Sequence, residues 1–363
     1  MSSVWGEYLK ISLFGESHGP GIGLVINGLP AGLEIDADYI NRELARRAPG
    51  TSKLTTSRRE KDEFEIISGV FQDRTTGAPL CFLIRNEDKR SRDYEELKDI
   101  MRPGHADYTA RVKYSGFNDY RGGGAFSGRL TAPLVLAGAI AKKILSAKGI
   151  ALGSHILSIA DIREEVFDAV QLSSSTLLEL NAREFPVLNE EKGLLMKDKI
   201  IRAREQQDSV GGVLETAVVG VEAGIGSPFF DSVESKIAHL LFSIPGVKGV
   251  EFGEGFALSQ MKGSQANDAF HLQAGQVQTI TNRCGGIQGG ITNGMPLTFK
   301  TAFKPTPSIG RIQKTVNLAT RQEVELQIKG RHDPCIVLRA VPAVEAAAAL
   351  ALLDLILERE KQL

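Results

Sequence analysis

The chain has 363 residues and a formal net charge of −1 at pH 7. With 42% hydrophobic and 24% charged residues, it has the composition of a soluble globular protein, long enough for one large domain or two. Near-neutral charge and 6% aromatic residues argue against binding to nucleic acid or an anionic membrane. Any anionic ligand must therefore be bound by a local cluster of cations.

The N-terminus and the lengths of the apolar runs predict a cytoplasmic location. Met1–Glu7 has no basic region followed by a long apolar stretch, so we expect no signal peptide. No apolar run reaches the roughly 18 residues needed to span a bilayer. Cys81, Cys284 and Cys335 are far apart, odd in number and without CxxC spacing, so we expect buried free thiols rather than disulfides or a zinc site.

The first half of the chain predicts short strands joined by polar loops. Apolar or alternating runs bounded by Gly, Pro or Asn predict strands at Leu9–Phe14, Gly23–Asn27, Phe64–Phe71 and Cys81–Arg85. Amphipathic spacing predicts a helix at Asp36–Arg47, stopped by Pro49-Gly50. Thr51–Glu63 has no apolar period and predicts a mobile loop. A short helix is expected at Tyr94–Met101.

The second half repeats this arrangement. Thr131–Lys148 predicts a helix buried nearly all round and stopped by Gly149, and Gln171–Gln207 is a polar, helical stretch. The remaining expected elements are strands at Leu214–Glu222, Pro296–Ala302, Glu323–Lys329 and Ile336–Val341, and helices at Asp231–Phe242 and Pro342–Leu363. Because both β-rich halves close on a buried helix, we expect sheets packed around helices in one domain, residues 1–363.

Three loops could bind an anion. Arg121–Arg129 contains three consecutive glycines and leads into the helix at Thr131, whose free N–H groups could bind a phosphate together with the flanking arginines. Alternatively, the loop is a tight turn whose arginines pair with surface carboxylates. It has neither the ending of a P-loop nor the G-x-G-x-x-G of a dinucleotide fold. Gly285–Gly290 and Lys304–Ser308 could hold a phosphate or a planar ring edge, or could be simple turns.

Two histidines and one aspartate are candidates for proton transfer. His18 and His105 lie beside glycines in loops, where a histidine near its unperturbed pKa suits acid–base chemistry at neutral pH. Structural histidines are the alternative, and His155, His239 and His271 look ordinary. Asp333 could act as a base or an orienting group, or form a surface pair in a turn. No HxxxH or HxH pair supports a metal site.

In order and across essentially its whole length, the chain resembles the chorismate synthase family. The segments that carry this resemblance are Gly15–Gly19, Arg46-Arg47 with Pro49-Gly50, Ser68–Val70 with Thr75–Gly77, Arg102–Tyr108, Asp119–Gly124, Val247–Glu251, Lys304–Thr306 and Gly330–Cys335. The resemblance implies an α+β fold, the single-domain β-α-β sandwich of this family, assembled as a homotetramer. It also implies a lyase of the shikimate pathway that removes phosphate and a ring hydrogen from 5-enolpyruvylshikimate 3-phosphate by 1,4-anti elimination to give chorismate. That reaction requires reduced FMN without net redox change, and NADPH is a possible reductant.

The resemblance also implies roles for individual residues. His18 would protonate the departing phosphate, His105 would sit near the pyrimidine edge of the flavin, and Asp333 would assist removal of the ring proton. Substrate anions would be bound by Ser17, Arg47, Lys53, Arg129 and Arg331. The flavin would be lined by Ala125, Phe126, Ser127, Pro245, Gly246, Gly289, Lys304, Pro305, Thr306, Pro307, Ser308 and Arg331.

The chain departs from the family pattern at a few of these positions. Ala125 and Phe126 stand where the family commonly has Arg and Ser, Lys53 where it has Arg, and Arg283 where some members have His. Lysine at position 53 keeps the positive charge of arginine but cannot form its bidentate hydrogen bonds. Two alternatives remain: a family member that only binds phosphate ligands, and a flavin oxidoreductase that consumes NADPH stoichiometrically.

Overall fold

A computed structural model describes residues 3–50, 54–55, 62–87, 98–328 and 332–362. Within these residues, two five-stranded antiparallel sheets lie on either side of a layer of helices. In spatial order, the first sheet consists of β1 (Val4–Trp5), β2 (Lys10–Gly15), β3 (Gly21–Asn27), β7 (Leu80–Arg85) and β4 (Phe64–Ser68). A small hairpin of β5 (Val70–Phe71) and β6 (Arg74–Thr75) lies between β4 and β7 in the chain. Leu80, Phe82 and Ile84 alternate with less buried neighbours, so this sheet turns one face to the core.

The second sheet is covered on both faces around its fourth strand. Its order is β11 (Val247–Phe252), β16 (Leu297–Phe303), β10 (Gly212–Val219), β8 (Ala151–Ile159) and β9 (Ile162–Arg163). The helical layer packs against β8 from one side, and α4 (Ser174–Ala182) and α5 (Glu190–Glu205) pack from the other. Because both faces are covered, β8 is buried at all positions except Ala151.

The helical layer is built on two long apolar helices, α3 (Thr131–Ala147) and α8 (Val337–Gln362). Their backbones touch, since a Cβ atom at Gly138 would lie 2.1 Å from the Cβ of Ala346. The helices α1 (Ala37–Arg47) and α6 (Val233–Ser243) also pack on α8. By length and composition alone, Gly128–Ala147 and Val337–Lys361 could cross a membrane, but 67% and 94% of their apolar windows are buried inside the protein. Both are core helices.

Shorter elements complete the described chain. Beyond the two sheets these are the helices α2 (Asp107–Lys113) and α7 (Gly263–Ala266), and the hairpins β12 (Phe270–Gln273) with β13 (Gln276–Thr279), β14 (Ile287–Gln288) with β15 (Ile291–Thr292), and β17 (Gln313–Asn317) with β18 (Gln322–Leu326). Short 3₁₀ segments of three to six residues occur at Arg121–Phe126, Gly128–Leu130, Phe229–Asp231 and Gly255–Gln260.

The predicted elements are confirmed with specific exceptions. Ile336–Val341 was expected to be a strand and is the start of α8, which accommodates Pro342 in its second turn, so that prediction is wrong. Residues 94–97 of the expected helix Tyr94–Met101 lie outside the described residues. Lys98–Met101 is not helical, because Ile100 forms a β-bridge to Asn317. Of the predicted loop Thr51–Glu63, only residues 54–55 and 62–63 are described. Strand β8 and helix α2 were not expected.

Candidate active site

A cavity of about 340 Å³ opens beside the N-terminus of α3, the first turns of α8 and the C-terminal end of α6. Among the described residues, five cationic side chains and three carboxylates line it: Arg47, Arg102, Arg129, Lys304 and Arg339, with Asp107, Asp119 and Asp333. The wall therefore carries excess positive charge, although the chain as a whole has a net charge of −1. This is the local cluster of cations that an anionic ligand needs.

The turn between β2 and β3 places His18 behind the cavity wall. Ser17 and His18 are only 7% and 5% exposed. Gly122 lines the cavity with a φ of 59°, and a Cβ atom there would lie 2.5 Å from His18 Nε2 and 3.0 Å from Ser17 Oγ. Only glycine combines this backbone conformation with so close an approach. Glycine at position 122 therefore allows the turn that carries His18 to pack directly against the glycine-rich loop.

The two arginines that flank the glycine-rich loop, Arg121 and Arg129, have different surroundings. Arg121 donates two hydrogen bonds of 2.8 Å to Asp119, so the alternative of an arginine paired with a nearby carboxylate is correct for this residue. Arg129 lies in the cavity wall, 7% exposed. Ser127 Oγ accepts the Arg129 N–H, and Ser127, Gly128 and Thr131 line the cavity at the start of α3. The helix terminus that was predicted to bind an anion opens into the cavity.

Arg47 and Arg129 share a carboxylate that sequence reasoning missed. Arg47, in the last turn of α1, donates to Asp62 from Nε and Nη2 at 3.2 and 2.7 Å, and Arg129 donates to the other oxygen of Asp62. Burial would raise the pKa of Asp62, but the charges of the two arginines outweigh it and hold that pKa below its usual value. Asp62 is therefore an anion at neutral pH.

His105 lies in the loop before α2. Hydrogen bonds connect this loop to the Lys304–Ser308 loop. His105 Nε2 is 2.7 Å from Ser308 Oγ, and Lys304 Nζ donates to the Gly104 carbonyl at 2.6 Å. Burial and then the charge of Arg102 lower the pKa of His105 to about 4. The imidazole is therefore neutral at pH 7, and its pKa lies below the near-unperturbed value expected from the sequence.

Asp333 is held by a residue at the beginning of α8. Arg339 Nη1 donates to Asp333 Oδ2 at 2.5 Å, and Arg339 Nε donates to the Arg47 carbonyl at 3.1 Å. Arg339 thus connects Asp333 to the end of α1, where Arg47 lines the cavity. Sequence reasoning did not identify Arg339 as part of the site.

Most of the predicted site residues meet at this cavity. Those in its wall are Arg47, His105, Phe126, Ser127, Arg129, Pro245, Gly246, Lys304, Pro305, Thr306, Pro307 and Asp333. Ser17, His18, Ala125 and Ser308 are not in the wall but contact or adjoin residues that are. Gly289 is not brought to the cavity: it lies in the β14–β15 turn, near the opposite end of β16 from Lys304. Lys53 and Arg331 lie outside the described residues.

Comparisons with known proteins show the family of this chain. The family model for chorismate synthase matches residues 9–357. The chain belongs to the chorismate synthase family. It is 47% identical to the chorismate synthase of Korarchaeum cryptofilum over 351 residues, covering 97% of this chain and 96% of that protein. It is 47% identical to that of Thermococcus kodakarensis over 355 residues, covering 98% and 97%.

A solved structure gives the same result for the fold. The protein titled "Crystal Structure of Chorismate Synthase" matches with a TM-score of 0.76 and 31% identity, over 98% of this chain and 93% of that one. The predicted α+β fold and family are confirmed. As a chorismate synthase, the protein is a lyase that eliminates phosphate from 5-enolpyruvylshikimate 3-phosphate to give chorismate in aromatic biosynthesis.

The cavity residues are suited to the flavin that this family uses. The Thr306 hydroxyl oxygen is buried without a hydrogen-bond partner among the described residues, although Thr306 lines the cavity. A buried polar atom of this kind is usually satisfied by a ligand or an ordered water molecule. The wall also offers apolar surface, including Phe126, which is 42% exposed, and Ile244. A planar ring system with polar edges fits such a lining.

Proposed function

We propose that this cavity is the active site, where 5-enolpyruvylshikimate 3-phosphate and reduced FMN (FMNH₂) bind together. The observation that carries the proposal is the meeting of three loops, bearing His18, His105 and Asp333, around one cationic cavity. Substrate phosphate and flavin phosphate are both anions, and excess cationic side chains in the wall offset the cost of bringing them together.

The substrate side of the site is assigned to the arginines beside the His18 turn. Arg47 and Arg129, with Ser17 and Lys53, bind the phosphate and carboxylates of the substrate. His18 donates a proton to the departing phosphate, which leaves more readily as a less highly charged anion. Its burial beside Gly122 excludes bulk water from that proton transfer.

The flavin side of the site is assigned to the loops that meet His105. The flavin-lining residues are Ala125, Phe126, Ser127, Pro245, Gly246, Lys304, Pro305, Thr306, Pro307, Ser308 and Arg331. When bound, reduced flavin transiently supplies electron density to the breaking C–O bond and recovers it. Neutral His105 provides a hydrogen bond at the pyrimidine edge without adding a cation. Asp333, oriented by Arg339, assists removal of the ring proton.

Anaerobic turnover tests this proposal. With dithionite-reduced FMN, we expect chorismate and inorganic phosphate in equal amounts, many turnovers per flavin, and no product with oxidised FMN. Reduced flavin that binds without product formation would favour a protein that only binds ligands. NADPH consumed stoichiometrically with product would instead favour a flavin oxidoreductase. Adding NADPH with oxidised FMN, without dithionite, tests whether the protein reduces its own flavin.

We also propose that the protein is a cytoplasmic homotetramer that binds neither nucleic acid nor membranes. Support for self-association comes from exposed apolar side chains, including Phe230 at 91% exposure. In the β12–β13 hairpin, Leu272 and Val277 lie opposite each other and are 73% and 61% exposed. Sedimentation equilibrium should give four times the 39.3 kDa mass of one chain. A monomer mass at micromolar concentration would contradict the proposed assembly.

A further inference from the structure

One buried carboxylate joins the two arginines assigned to the substrate. The Asp62 side chain has no exposed surface, and those of Arg47 and Arg129 are 1% and 5% exposed. Asp62 Oδ2 accepts two hydrogen bonds from Arg47, while Oδ1 accepts one from Arg129. Each oxygen therefore fixes a different arginine. Asp62 has a φ of 53°, so a left-handed backbone conformation brings its carboxylate to this position.

Asp62 itself does not face the ligand space. Among the described residues, the cavity wall includes Arg47 and Arg129 but not Asp62. The carboxylate thus lies behind the two guanidinium groups, and a ligand in the cavity would meet the arginines without competing for the same position. Arg129 is further held by Asn86, whose Oδ1 accepts its Nε–H at 3.2 Å.

The charges around Asp62 explain why a carboxylate is needed there. Arg47 is close enough to Arg129 and Arg339 for both to repel its charge. Asp333 already pairs with Arg339, and the single charge of Asp62 is shared between Arg47 and Arg129. Buried guanidinium groups that lose their counter-ion repel each other and move apart or draw in water. Either change would alter the arrangement that an anionic substrate meets.

We infer that Asp62 is a positioning residue for substrate binding, one that holds Arg47 and Arg129 in the geometry that receives the substrate's anionic groups. The inference rests on the proposed placement of the substrate at these arginines. Asp62 contacts neither substrate nor flavin; it acts through the two guanidinium groups. Removing its charge should therefore weaken substrate binding in addition to any effect on folding.

Steady-state kinetics of Asp62→Asn test this role. The substitution keeps the side-chain shape, and asparagine tolerates the positive φ. It removes the charge and puts an amide N–H donor in place of one of the two oxygens that accept from the arginines. We expect the KM for 5-enolpyruvylshikimate 3-phosphate, measured anaerobically with reduced FMN, to rise roughly tenfold or more, because small misplacements of binding groups have effects of this size. KM is independent of the amount of folded enzyme, so a merely structural role would lower the apparent kcat and leave KM unchanged.

Asp73→Asn is a matched control. Asp73 also has a positive φ, of 57°, but is exposed on the β5–β6 hairpin outside the cavity wall. It should keep the wild-type KM. If Asp62→Asn does not fold, Asp62→Glu retains the charge but displaces the carboxylate by one methylene, and its KM should also rise. A wild-type KM in a folded Asp62→Asn or Asp62→Glu protein would overturn the inference.

Arginine variants separate this inference from the placement of the substrate. If Arg47→Lys and Arg129→Lys raise KM while Asp62→Asn does not, the substrate placement stands and the role of Asp62 is wrong. If both arginine variants keep the wild-type KM, the substrate placement fails, and the inference about Asp62 fails with it. A higher KM in all three variants, with Asp73→Asn unchanged, supports both.

Discussion

Glycine at position 122 determines how closely the glycine-rich loop and the turn that carries His18 approach. Its φ of 59° and its contact with the His18 ring leave no space for a side chain. We predict that Gly122→Ala lowers kcat/KM roughly 100-fold, because the methyl group must displace His18. Turnover kinetics on protein with wild-type circular dichroism would measure this effect.

Gly116→Ala is the control for backbone strain at position 122. Gly116 has a φ of 81°, but a Cβ atom there would meet nothing within 4 Å. Alanine should therefore add similar strain at either position, of about 1–2 kcal/mol. Equal losses of activity in the two variants would show that strain rather than displacement of His18 is responsible.

Removing the His18 imidazole should slow turnover without unfolding the protein. We predict that His18→Ala lowers kcat by roughly tenfold or more, the low end of what a lost general acid costs. His239→Ala, at an exposed position on α6, should keep the wild-type rate. A rate near that of wild type in His18→Ala would remove His18 from the proposed proton transfer.

At the residue scale, the sequence identified the loops that line the cavity better than it identified the ion-pair partners of the charged residues there. Glycines beside His18, His105 and the start of α3 indicated backbone that approaches a ligand, and these loops do meet at one cavity. Asp62 and Arg339 were missed because nothing local distinguishes them from surface charges. Their importance depends on which cations tertiary folding brings beside them. The lowered pKa of His105 likewise depends on burial, which its sequence neighbours do not reveal.

Within the second sheet, His155 forms a buried pair of hydrogen bonds that sequence reasoning treated as ordinary. On β8, its Nδ1 is 2.5 Å from Glu164 and its Nε2 is 2.8 Å from Glu215 on β10. Burial would lower the pKa of His155, but the hydrogen bonds to the two carboxylates outweigh it and raise that pKa. Above about pH 6.5, the native state therefore retains a proton that the unfolded chain, with an ordinary pKa of 6.5, has lost.

This proton gives a testable dependence of stability on pH. The stabilisation from protonated His155 is fully present below about pH 6.5 and is lost as pH rises through the raised native pKa. We predict that the free energy of unfolding, measured with urea, falls above neutral pH in the wild type. His155→Gln should be less stable at pH 6 and show a smaller fall.

His105 provides an internal control because its shift has the opposite sign. Its native pKa of about 4 lies below the ordinary 6.5, so it removes stability as pH falls between these values. His155→Gln should leave that acidic dependence unchanged. Parallel profiles of wild type and His155→Gln above neutral pH would contradict the predicted role of the buried imidazole.

At the element scale, the sequence predicted most of the long elements, including the buried helix α3, but missed strand β8 and the start of α8. Helix α1 begins just after Asp36, the first residue of its predicted range, which is the N-cap and accepts the Tyr39 N–H with its side chain. Strand β8 gives no alternation because helices cover both of its faces. The start of α8 was predicted as a strand because its apolar run precedes Pro342, and tertiary packing against α3 overrides that local preference.

Across the whole molecule, one hydrophobic cluster reaches from the first sheet through α3 and α8 to the second sheet. The helical layer also buries charge, since Lys142 on α3 donates to Glu43 on α1 and Glu345 on α8. Neither sheet could separate without exposing this shared layer. We therefore propose that the chain forms a single domain, as the sequence predicts.

Equilibrium unfolding tests whether the two sheets form one unit. Trp5, the only tryptophan, lies on β1 in the first sheet, so its fluorescence reports that sheet, while far-ultraviolet circular dichroism reports the whole chain. We predict coincident urea transitions for the two probes, because loss of the shared layer removes the core of both sheets together. A fluorescence transition that precedes or follows the dichroism transition would indicate separate domains.

Gly138→Ala perturbs that shared layer directly. The new methyl group would lie 2.4 Å from the Ala346 Cα, so α3 and α8 must move apart. Overpacking of this kind costs about 1–3 kcal/mol. Both probes should shift to lower urea concentration by the same amount, although Gly138 lies on neither sheet. If only one probe shifts, the two sheets do not depend on the same helix contact, and the single-domain proposal is wrong.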